Sequence, residues 1–227
     1  MAVPGVTEHV YDGLDGFGQR LADVTTRSDA PAYVHAYLDH VDRVSHHEGT
    51  ESDGFRETVA TVCDELSAFV DGLEDEVARE TLLLVTADHG HVNTDPERNV
   101  DLSERDALVA ALRRHADGTP IRMSGSPRNV HLHLRDDGVS EALAALSDLD
   151  VATFTRDEAL DRGLFGDRES SDRFRRRCGD LVVTHRDLGT WFGDAEPDEL
   201  DLVGMHGGLH PDEMLVPFAA VRVDRLR

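Results

Sequence analysis

The sequence predicts an α/β fold with a mostly parallel sheet flanked by helices, and three observations carry that reading. An apolar strand-like run, a helical repeat and a second strand-like run follow one another between residues 32 and 86, and that succession is the building unit of a parallel sheet. Aspartate and histidine gather directly after both strand-like runs, at the place where ligands collect in open α/β sheets, outside the carboxyl ends of the strands. A length of 227 residues can bury one sizeable core, so a single domain over 1–227 is expected.

The elements follow in order. Leu14, Phe17, Leu21 and Val24 recur at three- and four-residue steps, which predicts an amphipathic helix over 11–27. Residues 32–38 read as a buried strand and are followed by a polar loop. Val59, Val62, Leu66, Phe69 and Val70 give helical periodicity over 57–70, and 81–86 is the clearest strand in the chain. Residues 103–115 read as a helix with Ser103 as N-cap. Polar and apolar residues alternate over 129–134, a strand that places His131 and His133 on one face. A helix over 140–146, a strand over 151–154, a short helix over 157–161 and a strand over 180–184 come next. Residues 215–223 close the chain as a strand, with Pro217 pointing to an edge or a bulge. The arginine-rich stretch 163–178, with Arg173, Arg175, Arg176 and Arg177, reads as a solvated helix face.

Composition narrows the function. The chain has 46 acidic and 23 basic residues, a formal charge of -23, and every basic residue is arginine. Such self-repulsion fades at about 1 M salt, where the Debye length is about 3 Å, so the acidity reads as adaptation to a salty solvent, as in a halophilic archaeon. No basic stripe is present to exchange counterions with nucleic acid, which excludes a nucleic-acid-binding module. A small phosphate ester remains a suitable substrate if cations supply the positive charge. Cys63 and Cys178 lie far apart and read as two buried thiols. The opening MAVPGVTEHV has no basic segment followed by an apolar one, and no run approaches about 18 apolar residues. The expectation is a cytoplasmic protein with no membrane attachment.

Five side chains are candidate metal ligands: Asp42 and His46, Asp88 and His89, and His206 within Gly204-Met205-His206-Gly207-Gly208. Carboxylate oxygen and imidazole nitrogen suit zinc, with manganese or iron also possible, and five ligands suit two neighbouring cations better than one. Each cluster alone has a plainer reading: a helix cap for Asp88-His89-Gly90, a solvated pair for Asp42 and His46, a turn for His206. His47 is an alternative to His46, and Asp39 to Asp42. His91, His131 and His133 match no ligand position, and His210 is a weak candidate for a substrate contact.

The segment from Tyr37 to Gly49, with Asp42, His46 and Gly49 in a D-x-x-x-H-x-x-G pattern, resembles type I phosphodiesterases and nucleotide pyrophosphatases of the alkaline phosphatase superfamily. Val85-Thr86-Ala87-Asp88-His89-Gly90 is similar to that family's second metal motif, and His206 to Pro217 looks like its closing histidine motif. The resemblance runs from about Ala32 to the end and suggests the carboxyl-terminal half of such an enzyme, with an alkaline phosphatase-like fold incomplete at its N-terminus. It implies that Asp42, His46 and His206 hold one divalent cation while Asp88 and His89 hold another, with 93–202 linking the last two motifs. It implies a hydrolase of phosphate esters. In the family a further Asp ligand and a Thr or Ser nucleophile lie well upstream of the first motif; the stretch before Asp42 offers neither, since Thr25 and Thr26 fall inside a helical pattern. The alternatives are a catalytically silent metal-binding protein, or one subunit of a split phosphatase whose partner chain or further segment supplies the nucleophile.

Overall fold

The structure, a computed structural model, describes residues 5–27, 31–185, 189–191 and 199–227. In chain order these form α1 (Phe17–Thr26), α2 (His40–Glu48), α3 (Asp53–Gly72), α4 (Asp75–Glu80), β1 (Leu82–Thr86), β2 (Val92–Asn93), β3 (Val100–Asp101) and α5 (Asp106–Ala111). There follow β4 (Ser124–Ser126), β5 (Asn129–Leu132), α6 (Gly138–Ala145), β6 (Val151–Thr155), α7 (Arg156–Asp161), α8 (Asp172–Arg177), β7 (Leu181–His185), β8 (Thr190–Trp191), β9 (Gly204–Met205), α9 (Pro211–Met214) and β10 (Phe218–Arg222). The α/β class is as expected. The chain divides into two compact units, one of Met1–Val44, Glu51–Ala87 and Pro217–Arg227, the other of Ser45–Thr50 and Asp88–Val216.

In the first unit α3 begins where the Ser52 hydroxyl accepts the Phe55 N–H at 3.0 Å, an N-cap that satisfies one of the helix's orphan donors. Phe69, Val70 and Leu73 at its end build a core with Ala22, Ala78 and Val223. The Glu65 carboxylate accepts the N–H groups of Gly16 and Gly18 at 3.2 and 2.7 Å, so α3 caps the start of α1. A Cβ on Gly18 would come within 1.9 Å of the Glu65 carbonyl, and glycine there lets the two backbones touch. Strands β1 and β10 pair antiparallel from Leu82↔Arg222 to Thr86↔Phe218. One face of this ribbon, with Leu82, Leu84 and Phe218, is exposed.

In the second unit β4, β5, β7 and β6 form one antiparallel sheet in that order. Its core holds Leu102, Leu108, Val130, Leu132, Leu146, Leu181 and Val183. Burial alternates along β5, whereas all five residues of β7 are buried, because Leu181 and Val183 pack into this core on one face while Val182 packs with Ala159 and Cys178 on the other.

Several expectations change. Residues 32–38 form no strand, and Tyr33 and Tyr37 are exposed. An apolar run becomes a strand only when a ladder partner takes its backbone groups, and β1 takes β10 instead, so the parallel pair expected around 57–70 does not form. The helix expected over 11–27 contracts to α1. The one expected over 103–115 shrinks to α5, because the Asp101 carboxylate, not Ser103, caps the preceding turn by accepting the Ser103 N–H at 2.8 Å. Strand β10 starts only after Pro217. Cys178 is buried as expected, but Cys63 is exposed on α3. No helix among the described residues is long and apolar enough to cross a membrane.

Candidate metal centre

Four imidazoles meet in the second unit, from three segments distant in sequence. The rings of His89 and His206 stack at 3.5 Å between centroids, His46 and His91 lie 4.7 Å apart edge to face, and His206 is 5.2 Å from His46 and 5.1 Å from His91. Ligand nitrogens of His46 and His91 fall within 4.8 Å of each other, as do those of His89 and His206.

Local geometry explains the convergence. Strands β2 and β9 pair antiparallel in the register Val92↔Met205 and Asn93↔Gly204, so one further step sets His91 opposite His206. The Val203 N–H donates to the His46 carbonyl at 3.0 Å, tying the end of α2 to the same ladder. Gly204 is required here, since a Cβ would stand 1.9 Å from the Ser45 carbonyl oxygen. Gly90 is required for the same reason: its N–H donates to the Glu213 carbonyl at 2.8 Å, and a Cβ would stand 1.9 Å from the Asp212 carbonyl oxygen.

Two rings are oriented by the backbone. His46 Nδ1 donates to the Gly204 carbonyl at 2.7 Å, and His89 Nδ1 to the Gly90 carbonyl at 3.0 Å. A carbonyl only accepts, so in the neutral ring the lone pair sits on Nε2, the tautomer that suits a metal ligand. Burial, together with the neighbouring His46, His206 and His89, pulls the His91 pKa down to about 3, and a neutral imidazole is the form that ligates.

The loop bearing His206 hangs on a buried ion pair. Arg128 Nε and Nη2 donate to Glu213 Oε1 and Oε2 at 2.5 and 2.9 Å, and both side chains are fully buried. Glu213 also accepts the N–H groups of Gly208 at 3.0 Å and His210 at 3.1 Å, while Arg128 Nη2 donates to the His185 carbonyl at 3.0 Å.

The predicted ligands are therefore placed as follows. His46, His89 and His206 come together. Asp42 stands one turn before His46 on α2. Asp88 keeps an exposed carboxylate 3.7 Å from His89 Nε2. His47 points outward on α2. His210 Nδ1 accepts the Asp212 N–H at 3.2 Å and caps α9, the role in which the structure shows it. Sequence reasoning passed over His91, Arg128 and Glu213. The β2–β9 register carries the signal for His91, but two-residue strands leave no periodicity to read.

The donor chemistry, imidazole nitrogens with carboxylates, fits a divalent cation such as zinc, and the protein is thus an α/β protein with candidate metal-binding residues. It belongs to the type I phosphodiesterase/nucleotide pyrophosphatase family, whose pattern it matches over residues 4–209. No curated protein matches it in sequence. Its fold is that of human ectonucleotide pyrophosphatase/phosphodiesterase 5, with a TM-score of 0.64, 16% identity and 90% of this chain aligned to 51% of that one. The murine counterpart matches at TM-score 0.64 with 15% identity, covering 90% of this chain and 52% of that one. An inactive murine form in complex with AMP matches at 0.65 with 16% identity, covering 90% and 51%. The chain spans about half the length of these structures.

Proposed function

We propose that the protein is the metal-holding part of a phosphate-ester hydrolase of the phosphodiesterase/nucleotide pyrophosphatase type, using two divalent cations. The ligands are Asp42, His46 and His206 for one and Asp88 and His89 for the other, with His91 as an added donor. The observation that carries this reading is the convergence of His46, His89, His91 and His206, two of them with Nδ1 tied to a carbonyl. Zinc suits the donors best; manganese or iron also fits. When bound, such cations supply Lewis acidity to the attacking and leaving oxygens of a displacement at phosphorus. The chain's own residues orient the ligands: Gly204 and Gly90 carbonyls fix two rings, and Glu213 fixes the loop behind His206. His210 is a lesser candidate for touching substrate. The AMP held by the murine relative makes a nucleotide phosphodiester the first substrate class to test. The arginine-only, acidic composition supports a salt-adapted protein, for which a cytoplasmic location is proposed.

The attacking hydroxyl, in this proposal, comes from a partner chain or a segment outside this sequence. Two observations support it. Thr25 Oγ1 donates back to the Leu21 carbonyl at 2.8 Å inside α1, and the apolar face with Leu82, 61% exposed, and Phe218, 72% exposed, is a surface of the kind a further segment covers. The same two facts suit the second reading, a catalytically silent metal-binding protein. Hydrolysis of bis-p-nitrophenyl phosphate by the purified chain, with and without an added partner segment, tests both. Little turnover alone, turnover restored by the partner and its loss in Asp88→Ala are expected. Vigorous metal-dependent hydrolysis by the chain alone, surviving Thr25→Ala and Thr26→Ala, would overturn the partner proposal.

A further inference from the structure

A second cluster in the same unit gathers positive charge, against the trend of a chain carrying -23. A cleft of about 550 Å³ is lined by Arg113, Arg156, Arg175 and Arg176 with His133 and Ile121, against two carboxylates, Asp172 and Asp180. Three separate segments deliver the guanidiniums: the chain after α5, the start of α7, and α8. Asp180 is already shared: its Oδ2 accepts from Arg113 at 3.0 Å and from the Leu134 N–H at 2.8 Å, and its Oδ1 from Arg156 at 2.5 Å. Arg156 is further pinned through Nε to the Gly179 carbonyl at 2.6 Å, and Arg175 reaches Asp157 at 3.3 Å. Arg176 has no ion-pair partner among the described residues.

Four guanidiniums against the two lining carboxylates and Asp157, which pairs with Arg175, leave a surplus of one positive charge, and the ion pairs hold three of the forks in place while Arg176 stays open to a ligand. The arginine-rich stretch is not merely a solvated helix face, since Arg113, His133 and Arg156 at the start of α7 close a cleft around it. We propose that this cleft binds a phosphoryl dianion, as inorganic phosphate or as the phosphate of a small monoester. Guanidinium forks approaching from several directions match a tetrahedral group with three or more acceptor oxygens better than a planar carboxylate, which offers only two. The volume falls within the range usual for small-ligand sites, about 300–1,000 Å³. This inference does not depend on the metal centre.

Calorimetric titration of the full chain with sodium phosphate tests it, at the lowest salt that keeps the chain folded, with metal and again with chelator. Phosphate held by cations disappears in chelator, whereas phosphate held by the cleft remains. Arg176→Gln should weaken the chelator-resistant binding about tenfold, while Arg173→Gln, on the same helix but outside the cleft, should leave it unchanged. Glycerol phosphate binding as tightly as phosphate or more tightly supports a monoester ligand; weaker binding supports free phosphate. No saturable phosphate binding in chelator, equal binding by Arg176→Gln, or acetate binding as well as phosphate would each overturn the proposal.

Discussion

At the scale of residues, Glu213 and Arg128 hold the loop that presents His206. Removing one member of a fully buried ion pair strands the other charge, at a cost of about 3–5 kcal/mol. Arg128→Met should therefore lower stability by about that much in denaturant unfolding, and a loss below about 1 kcal/mol would show that the pair is not structural. His91 makes the complementary case. Its spacing gave no reason to include it, and only the Val92↔Met205 register sets it facing His206. Elemental analysis should find less metal in His91→Ala than in His47→Ala, whose ring points outward; equal content would remove His91 from the centre.

At the scale of elements, the sequence made legible those whose pattern is long enough to read. Helix α3 and strands β1, β5, β6 and β7 form where their apolar residues predict elements, and Asp42, His46, Asp88, His89 and His206 stood out by type and by position near element ends. Residues 32–38 misled because apolar content marks a strand but cannot name its partner. Helix α2 passed as a polar loop because only Ser45 on it is buried, so it shows no apolar stripe. Ladder β2–β9 is too short for any pattern, yet Gly204 shows how tightly it is built. Gly204→Ala should cost about 1–3 kcal/mol, the usual range for a core-level steric conflict, and loosen metal binding; an unchanged melting curve would show that the Ser45 backbone gives way freely. His131 on β5 and His133 just after it supply a pH test. Burial is the leading cause that holds His131 and His133 below the usual histidine pKa, so their protonation is disfavoured in the folded state. Their contribution is present above about pH 6.5 and is lost as pH falls toward their folded values. In concentrated KCl, the melting temperature should drop between pH 7.5 and 5.5, and a flat or rising profile would contradict that assignment.

At the scale of the whole molecule, a charge of -23 with arginine as the sole basic residue type carries the proposal of a salt-adapted fold. Screening removes most of the self-repulsion at molar salt, so the melting temperature should climb markedly from about 0.1 M to several molar KCl; indifference to salt would refute the adaptation. The composition points to that test, whereas it could not show that four histidines from distant segments converge, because that depends on the β2–β9 register and on two glycine contacts. The convergence is the central claim, and metal stoichiometry of the purified, refolded chain tests it most directly. Bound zinc should fall sharply in His206→Ala and in His46→Ala and stay unchanged in His115→Ala, an exposed histidine remote from the cluster in sequence. Equal zinc content across all three variants would contradict a metal centre at these residues.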